Sequence, residues 1–211
     1  MKYELEKKEL ALFMRRLYEK DLTTCSGGNI SMKVSEDTIV ITPSSLDKSN
    51  LTFHDIAIVT LEGENLTKYL KISIETEMHL SIYRERKDIQ AIVHAHPLHG
   101  TMFTASEKHL RTDLIAEARL LLGEPVFAPY ALMGTEKLAK IAGNSFRNSK
   151  TRIVLLENHG VITVGKSLFR AYDRMEVLES AAKMTYMGEL LGGVKGLTSE
   201  RIKEIDELTL D

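Results

Sequence analysis

Apolar residues recur at helical spacing at Leu5, Leu10, Phe13 and Leu17, which predicts an opening helix. It stops before Thr23-Thr24-Cys25-Ser26-Gly27-Gly28-Asn29, a run of small, turn-forming residues. Residues 30–34 and 38–42 predict a hairpin closed by Pro43-Ser44-Ser45, and Thr52 opens a helical turn. Residues 56–61 predict a strand turning at Glu62-Gly63-Glu64. Ile74, Met78 and Ile82 then set a helix with Ser73 as its N-cap. Ala91-Ile92-Val93-His94-Ala95-His96 predicts a strand that stops at Pro97. A mixed stretch runs to Leu122, followed by a short strand near Pro125-Val126-Phe127 and a helix from about Thr135. Residues 153–164 predict a second hairpin, and Leu168, Tyr172, Met175, Leu178, Ala182 and Met187 a long C-terminal helix. Strands and helices alternate, yet several strands are joined by tight turns. The pattern favours an α/β class in which a mixed, largely antiparallel sheet carries helices on its faces.

Length and composition narrow the picture without identifying a chemistry. At 211 residues, with no linker or repeat, the chain is expected to be one domain spanning 1–211. A net charge of -2 and the absence of a basic stripe speak against nucleic acid as a partner. No apolar run reaches membrane-spanning length and residues 1–20 lack the apolar core of a secretory signal, so a cytoplasmic protein is expected. The single cysteine, Cys25, rules out an internal disulfide.

Candidate chemistry centres on three histidines. Side chains at i and i+2 of a strand share a face, so His94 and His96 converge on one spot. His159 lies where the apolar run 153–156 meets a Gly-containing turn. Three imidazoles with one position left open make the donor set of a catalytic zinc site. The plainer reading, histidines filling a buried sheet, leaves polar nitrogens in need of partners. Glu75 stands at the start of the helix before the His-x-His strand. A helix dipole alone favours a carboxylate there, whereas a functional role requires it to face the metal and move a proton. Glu77 and His79 on the same helix are alternatives. Ser26-Gly27-Gly28-Asn29, Thr42-Pro43-Ser44-Ser45 and Ser73 together suit an anion, because glycines admit backbone N–H groups and serines donate. None contains a lysine or arginine, so neutral donors are expected to carry the binding. Neither GxxxxGK[ST] nor GxGxxG occurs. His54 falls in a capping turn and His109 in a polar loop, while His99 is near enough in sequence to stand behind the ligands.

These segments line up with a family. The chain resembles the class II aldolase/adducin family along most of its length. The resemblance rests on Ser26-Gly27-Gly28-Asn29-Ile30-Ser31, Ile41-Thr42-Pro43-Ser44-Ser45, Glu75 with His79 and Tyr83, His94-Ala95-His96, Ala128-Pro129-Tyr130 with Gly134-Thr135, and Asn158-His159-Gly160, in this order. It implies α/β/α layers around a mostly antiparallel central sheet, assembled as a cyclic homotetramer with active sites at subunit interfaces. It implies that His94, His96 and His159 bind Zn2+ or another divalent ion. Glu75 is then the acid/base, able to take the fourth metal position when substrate is absent. Gly28, Asn29, Ser44, Ser45 and Ser73 correspond to positions that hold the phosphate of a phosphorylated sugar substrate. The related 4-epimerases usually carry aspartate at the acid/base position, so Glu75 points to the aldolase branch: cleavage of a ketose 1-phosphate, similar to L-fuculose 1-phosphate, into dihydroxyacetone phosphate and an aldehyde. Dehydratases of methylthioribulose phosphate, decarboxylases of sugar-acid phosphates and a non-catalytic adducin-like module are the family's other branches. The chain departs from the pattern in three places. Residues 108–120 contain no tyrosine, only the carboxylates Asp113 and Glu117, where the aldolases have a proton donor. No tyrosine follows Tyr186, and Ile74 replaces a phosphate-binding serine. Glu117, Tyr130 or water is left as the second proton-transfer group.

Overall fold

Central strands of a sheet covered on both faces have no solvent side, and so lose the polar alternation of half-buried strands. That is why AIVHA, IVLL and GVITVG read as nearly unbroken apolar runs and are buried at every position. A computed structural model describes residues 2–208; the expected domain range of 1–211 extends outside the described residues at both ends. The elements in order are α1 (Glu4–Glu19), β1 (Asn29–Lys33), β2 (Thr38–Ile41), β3 (Ala57–Thr60), α2 (Thr76–Glu85), β4 (Ala91–Ala95) and α3 (Leu98–Thr104). There follow α4 (Ala116–Leu122), β5 (Val126–Ala128), α5 (Glu136–Ser145), β6 (Ile153–Leu156), β7 (Gly160–Gly165), α6 (Leu168–Leu190) and α7 (Ser199–Asp206).

The strands form one seven-stranded sheet in the order β3-β2-β1-β4-β7-β6-β5. Every pairing is antiparallel except β5 with β6. Successive side chains on a strand point to opposite faces, so Val93 joins one core and Ile92 the other. The first core packs Leu10 and Leu17 of α1 with Tyr172 and Leu178 of α6 against Val93, Leu155 and Val161. The second packs Met78 and Ile82 of α2 with Leu138 and Ala142 of α5 against Ile92, Val154 and Ile162. This is the α/β/α arrangement expected from the sequence.

Local differences have local causes. α2 begins at Thr76 with Glu75 as its N-cap residue, not Ser73. Ser73 forms the turn ahead of it, its Oγ accepting from the Glu75 N–H (3.2 Å) and its carbonyl from the Thr76 N–H (3.1 Å). No helix forms at Thr52, whose N–H and hydroxyl both donate to the Asp55 carboxylate at 2.8 Å and close an isolated turn. β4 ends at Ala95, one residue short of His96. The stretch before Leu122 resolves into α3 and α4, and α7 appears where no apolar periodicity announced it. α7 buries none of its residues and is tied down instead through Arg119, which donates to Asp206 at 2.7 Å. Among the described residues no helix is long and apolar enough to cross a membrane.

Candidate active site

β4 and β7 run side by side at the centre of the sheet, with His94 opposite Ile162 and Ala95 opposite Val161. His94 shares the face of Ile92, which looks toward α2. His159 ends the connection from β6 to β7, where Asn158 takes a left-handed φ of 50°; asparagine adopts that conformation more readily than most residues. Gly160 opens β7. A Cβ there would stand 2.4 Å from His96 Cδ2 and 2.8 Å from the Ala95 carbonyl oxygen, so only glycine lets the His96 ring lie against the strand.

The donor atoms of His94, His96 and His159 lie within 4.8 Å of one another. His94 Nδ1 stands 3.0 Å from the Val161 carbonyl oxygen. A carbonyl only accepts, so Nδ1 carries the proton and Nε2 keeps its lone pair. The Nε2 atoms of His94 and His96 are buried with no hydrogen-bond partner, an arrangement that costs free energy unless something else engages them. Burial, then the crowding of neighbouring rings, holds His96 down to about 3, and burial likewise lowers His94. Neutral imidazoles with unengaged lone pairs are the form that ligates a metal. These residues therefore fit a divalent ion.

The Glu75 carboxylate lies across two of the rings, with Oε1 3.1 Å from His159 Nε2 and Oε2 3.4 Å from His94 Nε2. Burial raises this carboxyl, but His94, His159 and the Asn29 amide pull the other way and hold it below the ordinary carboxylate range. Of the three candidates, Glu75 is the one whose carboxylate lies against His94 and His159. Glu77 is paired with Arg84 near the surface. His79 is fully buried and held at about 3 by burial first of all.

His79 belongs to a relay that orients the carboxylate. A carboxylate can only accept, so Asn29 Nδ2 donates to Glu75 Oε2 at 2.8 Å, and to Ser73 Oγ at 3.2 Å. Asn29 Oδ1 then faces His79 Nε2 at 2.5 Å and fixes the proton on that nitrogen. His79 Nδ1 accepts from the Ser31 hydroxyl at 2.7 Å, which in turn accepts from Tyr83 at 2.9 Å. Every proton in the buried chain Tyr83–Ser31–His79–Asn29–Glu75 has one direction. Both amide hydrogens of Asn29 are thus engaged, and its side chain here holds Glu75 rather than reaching into open space.

The three small-residue segments meet at the same place. Pro43 bridges to Ile72, and the Ile74 N–H donates to Ser44 Oγ at 3.2 Å. Gly28, Asn29, Ser44, Ser45 and Ser73 line one cleft of about 430 Å³ together with Glu75, His96 and His159, a volume in the range of small-molecule sites. Gly28 has φ 65°, and a Cβ on it would meet the His94 carbonyl oxygen at 2.7 Å. The Ser44 and Ser73 oxygens accept backbone hydrogens, leaving each hydroxyl proton free to donate into the cleft. Ile74, 56% exposed, presents an alkyl group at its edge.

Other candidates lie elsewhere. His99 Nδ1 pairs with Glu179 at 2.6 Å and fastens α3 to α6. His54 stacks on Phe53, and His109 packs edge-on to Phe127. Neither Glu117 nor Tyr130 is among the residues lining the cleft. Two cleft residues went unnoticed in the sequence, Met133 and Lys48; Lys48, 1% exposed, lines the cleft with Ser44 and Ser45. Lys48 sits outside the small-residue segments, in a loop with no periodicity, and nothing in its spacing pointed to the site.

Comparison with known proteins gives this geometry a family. The model of the class II aldolase and adducin N-terminal domain matches residues 8–186. The chain is similar to an L-fuculose phosphate aldolase of Methanocaldococcus jannaschii, 35% identical over 89% of this chain and 99% of that protein. A 5-deoxy-D-ribulose 1-phosphate aldolase of Bacillus thuringiensis is 32% identical over 97% and 95% of the two chains. A 3-oxo-tetronate 4-phosphate decarboxylase of Haemophilus influenzae is 28% identical over 96% and 97%. Among solved structures, an L-fuculose 1-phosphate aldolase superposes with a TM-score of 0.87 at 30% identity, covering 95% of this chain and 94% of that one. Fold, matched span and aldolase relatives agree: the chain belongs to the class II aldolase and adducin family and is an enzyme of its metal-dependent lyase type.

Proposed function

We propose that this enzyme is a zinc-dependent aldolase that cleaves a ketose 1-phosphate, similar to L-fuculose 1-phosphate, into dihydroxyacetone phosphate and an aldehyde. The observation that carries this reading is the convergence of three histidines with unpartnered nitrogens, His96 and His159 lining the cleft and His94 buried behind it, with a carboxylate laid across two of the rings. His94, His96 and His159 would hold the ion, and three imidazoles with an open position suit zinc best. When bound, such an ion supplies Lewis acidity for the negative charge left on the dihydroxyacetone phosphate half.

In the condensing direction, Glu75 in its ionised form takes the proton from the carbon that becomes the nucleophile. In cleavage the same carboxyl returns a proton to that carbon as the carbon–carbon bond gives it the electron pair. The neighbouring substrate hydroxyl loses its proton and becomes the aldehyde carbonyl, so charge and protons balance. The relay from Tyr83 to Asn29 keeps the carboxylate aimed. Gly28, Ser44, Ser45 and Ser73 are the candidates to receive the phosphate, whose binding fixes the substrate far from the reacting bond. The Asn29 side chain lines the same cleft but is taken up by Glu75, Ser73 and His79.

Besides Glu75 and the histidines, the described residues lining the cleft offer one titratable side chain, Lys48, whose ammonium already donates to the Pro43 carbonyl. The group that takes the hydroxyl proton is therefore expected from outside the cleft. A cyclic homotetramer with sites at subunit borders would bring such a group from a neighbouring copy. Met187, Leu190 and Leu191, 50%, 71% and 78% exposed around the end of α6, support assembly because exposed apolar clusters mark contact surfaces. We place the enzyme in the cytoplasm, as one domain. The test is to incubate metal-loaded protein with L-fuculose 1-phosphate and 5-deoxyribulose 1-phosphate and to measure dihydroxyacetone phosphate. The similarity to a decarboxylase favours one competing reading. Carbon dioxide released from a 3-oxo-tetronate 4-phosphate, with no dihydroxyacetone phosphate from either ketose, would replace the aldolase reading with it.

A further inference from the structure

Lys48 is a buried cation with nothing of opposite charge to meet it. Its side chain is 1% exposed, and among the described residues no carboxylate forms an ion pair with it. Its backbone N–H donates to the Cys25 carbonyl at 2.8 Å, and its ammonium donates to the Pro43 carbonyl. The residue thus links the loop before β1 to the loop after β2, the two that bring Gly28, Ser44 and Ser45 to the cleft. A neutral carbonyl satisfies one of its three N–H donors and none of its charge. Burial alone pushes it down to about 8, and no neighbouring charge pushes back. Taking an ammonium out of water without a partner is costly, and such a group is retained where an anion arrives to complete it. Glu75, the carboxylate of the cleft, is engaged by Asn29 and set against His94 and His159.

We propose that Lys48 is the counter-charge for the substrate's phosphate group, completing an anion subsite whose other members are neutral hydroxyl and backbone donors. This rests on the reading of the cleft as a sugar-phosphate site, and it corrects the expectation that neutral donors suffice. It also accounts for Ile74. Where one hydroxyl donor is replaced by an alkyl group, a dianion needs another source of stabilisation, and a desolvated ammonium is a stronger one than a hydroxyl. A charge held ready in the folded protein makes phosphorylated substrates preferred over their unphosphorylated counterparts.

The test is inorganic phosphate binding by calorimetry to the metal-loaded protein, which needs no knowledge of the substrate. The parent should bind phosphate, and Lys48→Met should bind it about 10- to 100-fold more weakly at unchanged metal content, a loss of about 1.4–2.8 kcal/mol. Lys48→Arg should retain most of the affinity. Equal binding by parent and Lys48→Met, or no binding by the parent, overturns the proposal. If Lys48 only braces the Pro43 loop, Lys48→Met lowers the unfolding temperature while phosphate affinity stays put, which also overturns it. Should the neutral variant not fold, a crystal structure of the parent with phosphate decides: the ammonium within hydrogen-bonding distance of a phosphate oxygen supports the assignment, and an anion seated elsewhere in the cleft refutes it. The two readings fail separately. A parent that releases no dihydroxyacetone phosphate but loses phosphate affinity on Lys48→Met retains the subsite without the aldolase reaction.

Discussion

Replacing Gly160 with alanine should empty the metal site without touching a ligand. The added Cβ would stand 2.4 Å from His96 Cδ2, 2.8 Å from the Ala95 carbonyl oxygen and 3.2 Å from His96 Nε2. Carbon atoms rest about 3.5–4.0 Å apart, so the first contact is short by roughly 1 Å. The Ala95 backbone is pinned in the ladder opposite Val161, which leaves the His96 ring to move. Metal–ligand distances tolerate only about ±0.2 Å. A perturbation one shell further out already costs about 10- to 100-fold in metal affinity, so displacing a ligand ring should cost at least 100-fold. Overpacking adds about 1–3 kcal/mol of destabilisation, or about 2–12 °C in unfolding temperature for a chain of this size. The assay is equilibrium dialysis against a competing chelator, with metal quantified by mass spectrometry and unfolding followed by calorimetry. Gly143→Ala is the control. Its Cβ would meet Ser81 Oγ at 2.3 Å between α5 and α2, so it should cost stability but keep the metal. A Gly160→Ala protein that folds and binds metal with parental affinity would refute the placement of His96 as a ligand.

Four further outcomes are expected. Glu75→Gln should keep its metal through the three histidines and lose about 10²- to 10⁴-fold in turnover; near-normal turnover would move the acid/base role to another residue. His79→Phe should lower turnover about 10-fold at constant metal content, because Asn29 loses the partner that fixes its amide and each such hydrogen bond contributes about 1 kcal/mol; steady-state kinetics beside metal analysis checks this. Lys48, held at about 8 when folded against 10.5 for an ordinary lysine, loses its proton first in the folded state. The unfolded chain then binds more protons, so in phosphate-free buffer stability should rise from pH 8 to 10.5 by at most about 3 kcal/mol, and urea unfolding should show no such rise for Lys48→Met. Sedimentation should give a tetramer, and Leu190→Asp with Leu191→Asp should weaken it; a fully active monomer at nanomolar protein would contradict the proposed assembly.

Much of the fold was legible because burial writes itself into the sequence. β4, β6 and β7 are apolar along their whole length since helices cover both faces, and α1 and α6 carry their core-facing residues at helical spacing. The His94 and His96 pair was legible from its i, i+2 spacing, although β4 ends at Ala95 and His96 follows directly after it. What stayed hidden depended on which ends of which elements meet. Nothing in the spacing of Glu75, Glu77 and His79 distinguishes them. The choice is made where β1 lies beside β4, placing Asn29 opposite His94 so that its amide engages Glu75 on one side and His79 on the other. Ser73 reads as a cap in sequence, yet Asn29 draws its hydroxyl into the cleft and the helix begins three residues later. α7 escaped notice because a helix that buries nothing has no apolar stripe to betray it. Lys48 escaped because a lysine in a polar loop looks solvated until the loops before β1 and after β2 close over it. Periodicity reports how each element meets its own core; the meeting of loops from β1, β2 and α2 over the ends of β4 and β7 is a property of sheet order, and only the tertiary structure contains it.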